Sequence, residues 1–304
     1  MTPVQPVQTF RPVMKDGRAR PIGTGRLAAP YGVSVEPLEV LRRTFNAWHD
    51  DALRLGLLVA LPYMVIFAAG VAGAIAFGLA EANVLGRDFL RTFGLAQATA
   101  LGVAGGVFLT CVLLFVAASA GGVLIVDERL RGEERSSGAF GALLAGLQYL
   151  GRMLVCTLSV GGLILTLLLP AIACGAAAAV LESWPIGLGA LMLALLGGGG
   201  AVFVALRLLV AGAALVIEDL GPVAALQRSV ELTRGRMGDV FAASALMFVV
   251  VFAINMGTAL LGLIPIVGAL VQIVSGIIVG SLQSVFLVVL YAGLRDAHDA
   301  QNAG

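Results

Sequence analysis

The stretch Leu215–Phe241, LVIEDLGPVAALQRSVELTRGRMGDVF, leaves one apolar run, crosses a charged turn, passes through an amphipathic segment and enters a second apolar run. Pro222 suits the first turn of a helix, where a missing N–H costs nothing. Glu218 and Asp219 stand just before it, where the helix N-terminus favours negative charge. At helical spacing Val223, Leu226, Val230 and Met237 share one face, and Arg228, Glu231 and Gly235 lie on another. Such a segment is expected in the headgroup layer, with its arginines toward phosphates and water.

On either side of this stretch the chain is too apolar for a soluble domain. Hydrophobic residues make up 59% and charged residues 12%, against about 45–50% and about 25% in average soluble domains. Windows long enough to span about 30 Å of hydrocarbon, about 20 residues of helix, occur six times. They fall near 55–80, 98–126, 152–181, 186–217, 239–263 and 266–294. Helices are the expected solution, because backbone polar groups in lipid must be paired internally. Short turns at Glu182-Ser183-Trp184-Pro185 and around Pro265 predict antiparallel hairpins on either side of them.

Sixteen of the nineteen Lys and Arg lie in the N-terminal segment, the 127–152 and 218–239 connections and the C-terminus. Arg87 and Arg91 face the other side and Arg207 falls within a span. This positive-inside bias predicts that both termini are cytoplasmic. Residues 1–35 are rich in Pro and Arg, lack the apolar core of a signal peptide, and read as a disordered tail. Residues 36–295 form the membrane domain and 296–304 a short polar tail. Cys111, Cys156 and Cys174 all lie in apolar runs and read as packing residues.

The chain also repeats itself. Pro37-Leu38-Glu39-Val40-Leu41-Arg42-Arg43-Thr44 aligns without gaps on Pro222-Val223-Ala224-Ala225-Leu226-Gln227-Arg228-Ser229, and a span follows each. A weaker copy around Ala139–Gly151 keeps the spacing but lacks the proline and the Arg-Ser/Thr pair. The expected fold is therefore all-α and polytopic. Six transmembrane helices are arranged in three pseudo-repeats, near 37–126, 138–217 and 220–295, each an interfacial helix followed by a two-span hairpin.

The run Glu218-Asp219-Leu220-Gly221-Pro222, with Ala225-Leu226-x-Arg228-Ser229-x-Glu231-Leu232-Thr233-x-Gly235, resembles a family of bacterial integral membrane proteins. That family takes its name from the membrane domain attached to some glycerophosphoryl diester phosphodiesterases, and its members often stand alone. The close likeness covers about twenty-five residues, and the helix pattern extends it loosely over 37–295. What the resemblance implies is a six-span fold without an established activity; the enzymatic part of the family's name is not expected to apply.

Candidate site residues are few. Arg207 lies eleven residues before Glu218, about 16 Å along a continuous helix, and an intramembrane arginine is expected to face the bundle interior or snorkel, either pinned to carbonyls and polar side chains of neighbouring spans or binding an anionic group such as a lipid phosphate. Gln272, Asn255 and Gln283, with Ser275, are the polar groups available to it or to a ligand. Gln272, Ser275, Gly276, Gly280 and Gln283 lie close to one stripe, as helix packing favours; Gly70-x-x-x-Ala74-x-x-x-Gly78 reads the same way. Gly197–Gly200 is a close-packing point or a hinge. The interfacial motif comprises Glu218, Pro222, Arg228, Ser229, Glu231, Thr233 and Gly235, with Pro37 and Arg43 in the first copy.

His49-Asp50-Asp51 is contiguous, and on a helix its side chains fan apart and cannot clasp a metal. No nucleophile elbow or phosphate loop is present. The expectation is a non-catalytic anchor, scaffold or assembly factor that binds membrane lipids or a partner protein, without cofactor, metal or nucleic acid. The alternative is a transporter or channel for a small or lipidic solute, with Arg207 in its site.

Overall fold

The computed structural model describes residues 35–83, 89–132, 138–181, 183–262, 264 and 267–303. The N-terminal tail up to residue 34, Arg87, Glu182 and the turn at Pro265 lie outside the described residues. Around Gly70–Gly78 only the backbone is described.

Every described element is a helix. In chain order they are α1 (Pro37–Asn83), α2 (Phe89–Leu130), α3 (Ala139–Leu181), α4 (Trp184–Leu208), α5 (Ala211–Ile217), α6 (Pro222–Thr233), α7 (Met237–Leu261) and α8 (Val267–Ala303). Among the described residues six segments are long and apolar enough to cross a membrane: Pro37–Ala69, Gly105–Leu130, Ala139–Leu181, Trp184–Ile217, Met237–Leu261 and Leu270–Asn302. The protein is thus an all-α membrane protein with six candidate spans, the fourth made of α4 and α5 together.

Prolines 37 and 222 each begin a helix, and the backbone leaves helical geometry at the same step beyond them. Asp51 kinks α1 with φ −121° and ψ 17°, and Arg236 separates α6 from α7 with φ −123° and ψ 19°. Both stand fourteen residues after their proline. Val40 and Ala225, aligned in the sequence, are both fully buried, as are Thr44 and Ser229. The middle segment differs: α3 runs unbroken from Ala139 to Leu181.

The core sits at the end of the bundle that carries the charged connections. It is built from α5 (Ala211, Ala213–Val216), the inner half of α8 (Leu282–Leu294), Ala117–Val126 of α2, Leu55 and Leu58 of α1, and Ala225, Leu232, Val240 and Ala243. Further out, α3 and α4 pack mainly on each other and leave leucines such as Leu158, Leu169, Leu188 and Leu195 exposed. Exposed leucines are no liability in lipid, whose tails are as apolar as leucine itself.

Helix pairs close where small residues meet. On α2 and α3, Ala117 and Gly121 face Ala142 and Gly146: a Cβ at Gly121 would lie 2.6 Å from the Ala142 carbonyl oxygen, and one at Gly146 would strike that of Ala117. On α8, Gly276 receives the Tyr63 ring and Gly280 the Val59 methyl, which brings α1 and α8 together. Gly197 lies against the Leu167 carbonyl, 2.6 Å from where its Cβ would be. α4 is continuous there, and within the Gly197–Gly200 run it is Gly197 that makes the close approach.

Candidate functional site

Among the described residues two places gather polar groups between the helices. The first is the junction of α4, α5, α6 and α8. The fourth span breaks at Leu209–Val210, which frees the Arg207 carbonyl from helical pairing. The Ser229 hydroxyl donates to that carbonyl at 2.8 Å, with Thr233 at 3.5 Å. Both hydroxyls come from the buried face of α6, Ala225, Ser229, Leu232 and Thr233. A bare carbonyl in hydrocarbon costs several kcal/mol, so these two side chains make the break tolerable. The break also corrects the continuous helix expected between Arg207 and Glu218.

The end of α5 is a six-to-one turn in which Leu220 N–H donates to the Leu215 carbonyl at 3.1 Å. Asp219 adopts φ 52°, the left-handed conformation that glycine usually supplies there. Arg152 of α3 holds it, donating to the Asp219 carboxylate at 2.7 Å and more weakly to the Asp219 and Leu220 carbonyls. Glu218, next to it, accepts two bonds on one oxygen, from Arg228 Nε at 3.2 Å and from the Tyr291 hydroxyl at 2.5 Å. Tyr291 is fully buried, and a phenol in that position requires such a partner.

Arg228 therefore turns inward, to Glu218 and to Glu231 at 3.6 Å. It does not project toward headgroups as the spacing predicts. Val223, by contrast, is 68% exposed. The face of α6 buried in protein is Ala225, Ser229, Leu232 and Thr233, and of the predicted apolar face Val223 alone is exposed while Leu226, Val230 and Met237 are half-buried. Gly235, at φ 79°, makes the turn into α7. In the first copy Arg43 pairs with Glu39 at 2.8 Å and the Thr44 hydroxyl donates to its own helix, at the Val40 carbonyl. Further cross-links at the same end join Arg129 to Asp50 and Arg236 to the Ala297 carbonyl.

The second place is a cavity of about 440 Å³ among α1, α2, α7 and α8, lined by Tyr63, Phe115, Asn255, Gln272, Ile273, Ser275, Gly276, Val279, Gly280 and Gln283. Asn255, Gln272 and Gln283, singled out as polar residues in apolar spans, thus come together. Arg207 does not join them. Its guanidinium stacks over Phe203 at 5.5 Å, and its Nε is buried without a hydrogen-bond partner among the described residues. Gln283 and Phe115 each stand twelve residues from the nearest charge on their helices, Arg295 and Asp127, about 18 Å at about 1.5 Å per residue. That part of the cavity is about 18 Å from the charged end, and Gln272, twenty-three residues before Arg295, lies about 34 Å along the same helix, toward the opposite end of the bundle.

Sequence reasoning missed Tyr291, Tyr63 and Arg152. A lone tyrosine at the inner end of an otherwise apolar run was the available signal for Tyr291; its partner on a distant segment was not. Trp48, whose indole donates to the Ser281 hydroxyl at 2.9 Å, was missed for the same reason. His49 is exposed, and among the described residues no group of three His, Cys, Asp or Glu is placed to hold a metal.

Fold and polar sites together define a polytopic helical membrane protein with a charged, cross-linked end and an open, amide-lined cavity. No protein-family model, curated protein or solved structure matches the chain.

Proposed function

We propose that this is a non-catalytic integral membrane protein that works as an anchor or scaffold by holding membrane lipid, and through it or beside it a partner protein. One observation carries the reading. Leu38, Phe140 and Val223 are 73%, 70% and 68% exposed, and each is the second residue of a helix that starts at the charged end, α1, α3 and α6. Three large apolar side chains beside arginines such as Arg42 suit insertion at a headgroup boundary. The charged residues around them pair with one another, which supports a structural rather than a catalytic use.

The same observation supports three related units in one chain, as do the matching bends at Asp51 and Arg236. On this reading the charged end is cytoplasmic, both termini lie there, and the membrane is the bacterial inner membrane. The likeness to the membrane domain of glycerophosphoryl diester phosphodiesterases fits this reading through residues 218–235.

The test is native mass spectrometry of gently extracted protein, wild type beside a Leu38→Ser, Phe140→Ser, Val223→Ser triple variant. Retained anionic lipid or a defined protein partner, lost in the triple variant, is the expected result. Bare protein in both samples refutes the anchor. A second reading, a transporter or channel, draws on the amide-lined cavity; its polar contacts then come from Asn255, Gln272 and Gln283 rather than Arg207. Solute flux into proteoliposomes, abolished by Gln272→Leu, decides for it.

A further inference from the structure

The cavity among α1, α2, α7 and α8 has a chemistry of its own. Its polar groups are three carboxamides, one serine and one phenol, and none of its lining residues carries a charge. Each carboxamide offers both a donor and an acceptor. An anionic headgroup placed there meets no cation, and an ion desolvated without a partner is strongly disfavoured. The volume of about 440 Å³ lies within the range of sites that take a molecule of drug size. It exceeds what a single water or ion fills.

Its walls divide the ligand in two. Phe115, Ile273 and Val279 offer apolar surface, and along α7 the exposed neighbours of Asn255 are Phe252 and Met256. The amides are exposed beside these side chains, so a molecule arriving from the bilayer meets apolar and amide groups together. Ser275 marks the inner limit: it is 4% exposed, lines the cavity, and makes no hydrogen bond with a described residue. Gln272 and Gln283, both exposed, likewise make none. Asn255 is partly satisfied by its own helix, donating to the Val251 carbonyl at 2.8 Å. Ser275, Gln272 and Gln283 thus line one elongated space without a hydrogen-bond partner among the described residues. Such groups gain most from a ligand that brings its own hydroxyl or ester.

We infer that this cavity binds a neutral, hydroxyl-bearing lipid of the diacylglycerol type, with its hydroxyl and ester groups on Gln272, Gln283 and Ser275 and its chains along Phe115 and Val279. The inference rests on the lipid-holding reading above but concerns a different part of the molecule. Anionic lipid held at Leu38, Phe140 and Val223 and neutral lipid held in the cavity are separable by variant and by headgroup.

The experiment is saturable binding of radiolabelled dioleoylglycerol to the full-length protein in detergent micelles, competed with unlabelled dioleoylglycerol, dioleoylphosphatidylglycerol or glycerol. Wild type binds, unlabelled dioleoylglycerol competes, and the phosphatidylglycerol and glycerol do not. In the Gln272→Leu, Gln283→Leu double variant affinity falls about tenfold or more, as the loss of two hydrogen bonds requires. Gln227→Leu on the exposed side of α6 leaves it unchanged. Equal competition by phosphatidylglycerol, binding unaffected by the double variant, or no saturable binding overturns the inference. Should the double variant unfold, the competition series on wild type still decides. Anionic lipid retained at the charged end, with no neutral lipid bound, would uphold the anchor and sink this site alone.

Discussion

Replacing Gly146 by alanine adds one methyl group where two helix backbones touch. The new Cβ would strike the Ala117 carbonyl oxygen and lie 2.9 Å from the Gly121 nitrogen and 3.2 Å from the Ala117 carbonyl carbon. All three atoms are main chain, so no rotamer change relieves the overlap and α2 and α3 must part by about 1 Å. A gap of that size forfeits about a quarter to a half of the dispersion energy of every atom pair along the seam. Overpacking of this kind costs about 1–3 kcal/mol, and backbone on both sides puts it near about 3. Alanine returns up to about 1 kcal/mol in helix propensity, for a net loss of about 2. Gly151, one more turn along α3, has nothing within 4 Å of its added Cβ, so Gly151→Ala gains up to about 1 kcal/mol. Equilibrium unfolding in mixed dodecyl maltoside–dodecyl sulfate micelles, followed by tryptophan fluorescence, measures both. A Gly146→Ala protein as stable as wild type or as Gly151→Ala would refute the close-packing argument.

Two further expectations use the same assay. Tyr291→Phe removes a hydrogen bond to a charged acceptor, for which about 1.5–3 kcal/mol is typical, and the loss shrinks when Glu218→Gln is already present; a change below about 0.5 kcal/mol would show that the phenol is idle. Asp219→Gly relieves a left-handed residue worth about 1–2 kcal/mol and loses an exposed ion pair worth about 0–1, so it stays within about 1–2 kcal/mol of wild type or above it. Asp219→Val keeps the strain and loses the pair, and falls below both; the reverse order would contradict the turn described for α5.

The helical periods and apolar windows of the six spans were visible in the residues themselves, because a span must satisfy its backbone locally and needs no distant partner to declare itself. Pro37 and Pro222 marked helix starts for the same local reason. The glutamines of α8 stood out because amides are rare in such runs, and the cavity unites them with Asn255. What could not be read depends on contacts between segments far apart in the chain. The break at Leu209–Val210 carries no proline or glycine of its own; hydroxyls on α6 sustain it. The spacing places Arg207 on an unbroken helix, and the break beside it becomes visible only in the contact of α4 with α6. Gly121 and Gly146 are two among forty glycines, and only the crossing of α2 with α3 makes them irreplaceable. Arg228 looked like a headgroup contact because Tyr291 and Glu218, which draw it inward with α6, belong to other helices.

The seating of Arg207 has a consequence for how the chain is made. The hydroxyl that receives its carbonyl belongs to Ser229, 22 residues later, which at about 5–20 residues per second leaves the ribosome about 1–4 s afterwards. During that interval the fourth span has one dry arrangement open to it, a straight helix in which the Arg207 carbonyl takes the Ala211 amide. The broken span of the finished protein is therefore a late product of biogenesis. It forms when α6 arrives and exchanges a bond within one helix for a bond between two, and a chain halted before Ser229 would hold its fourth span straight.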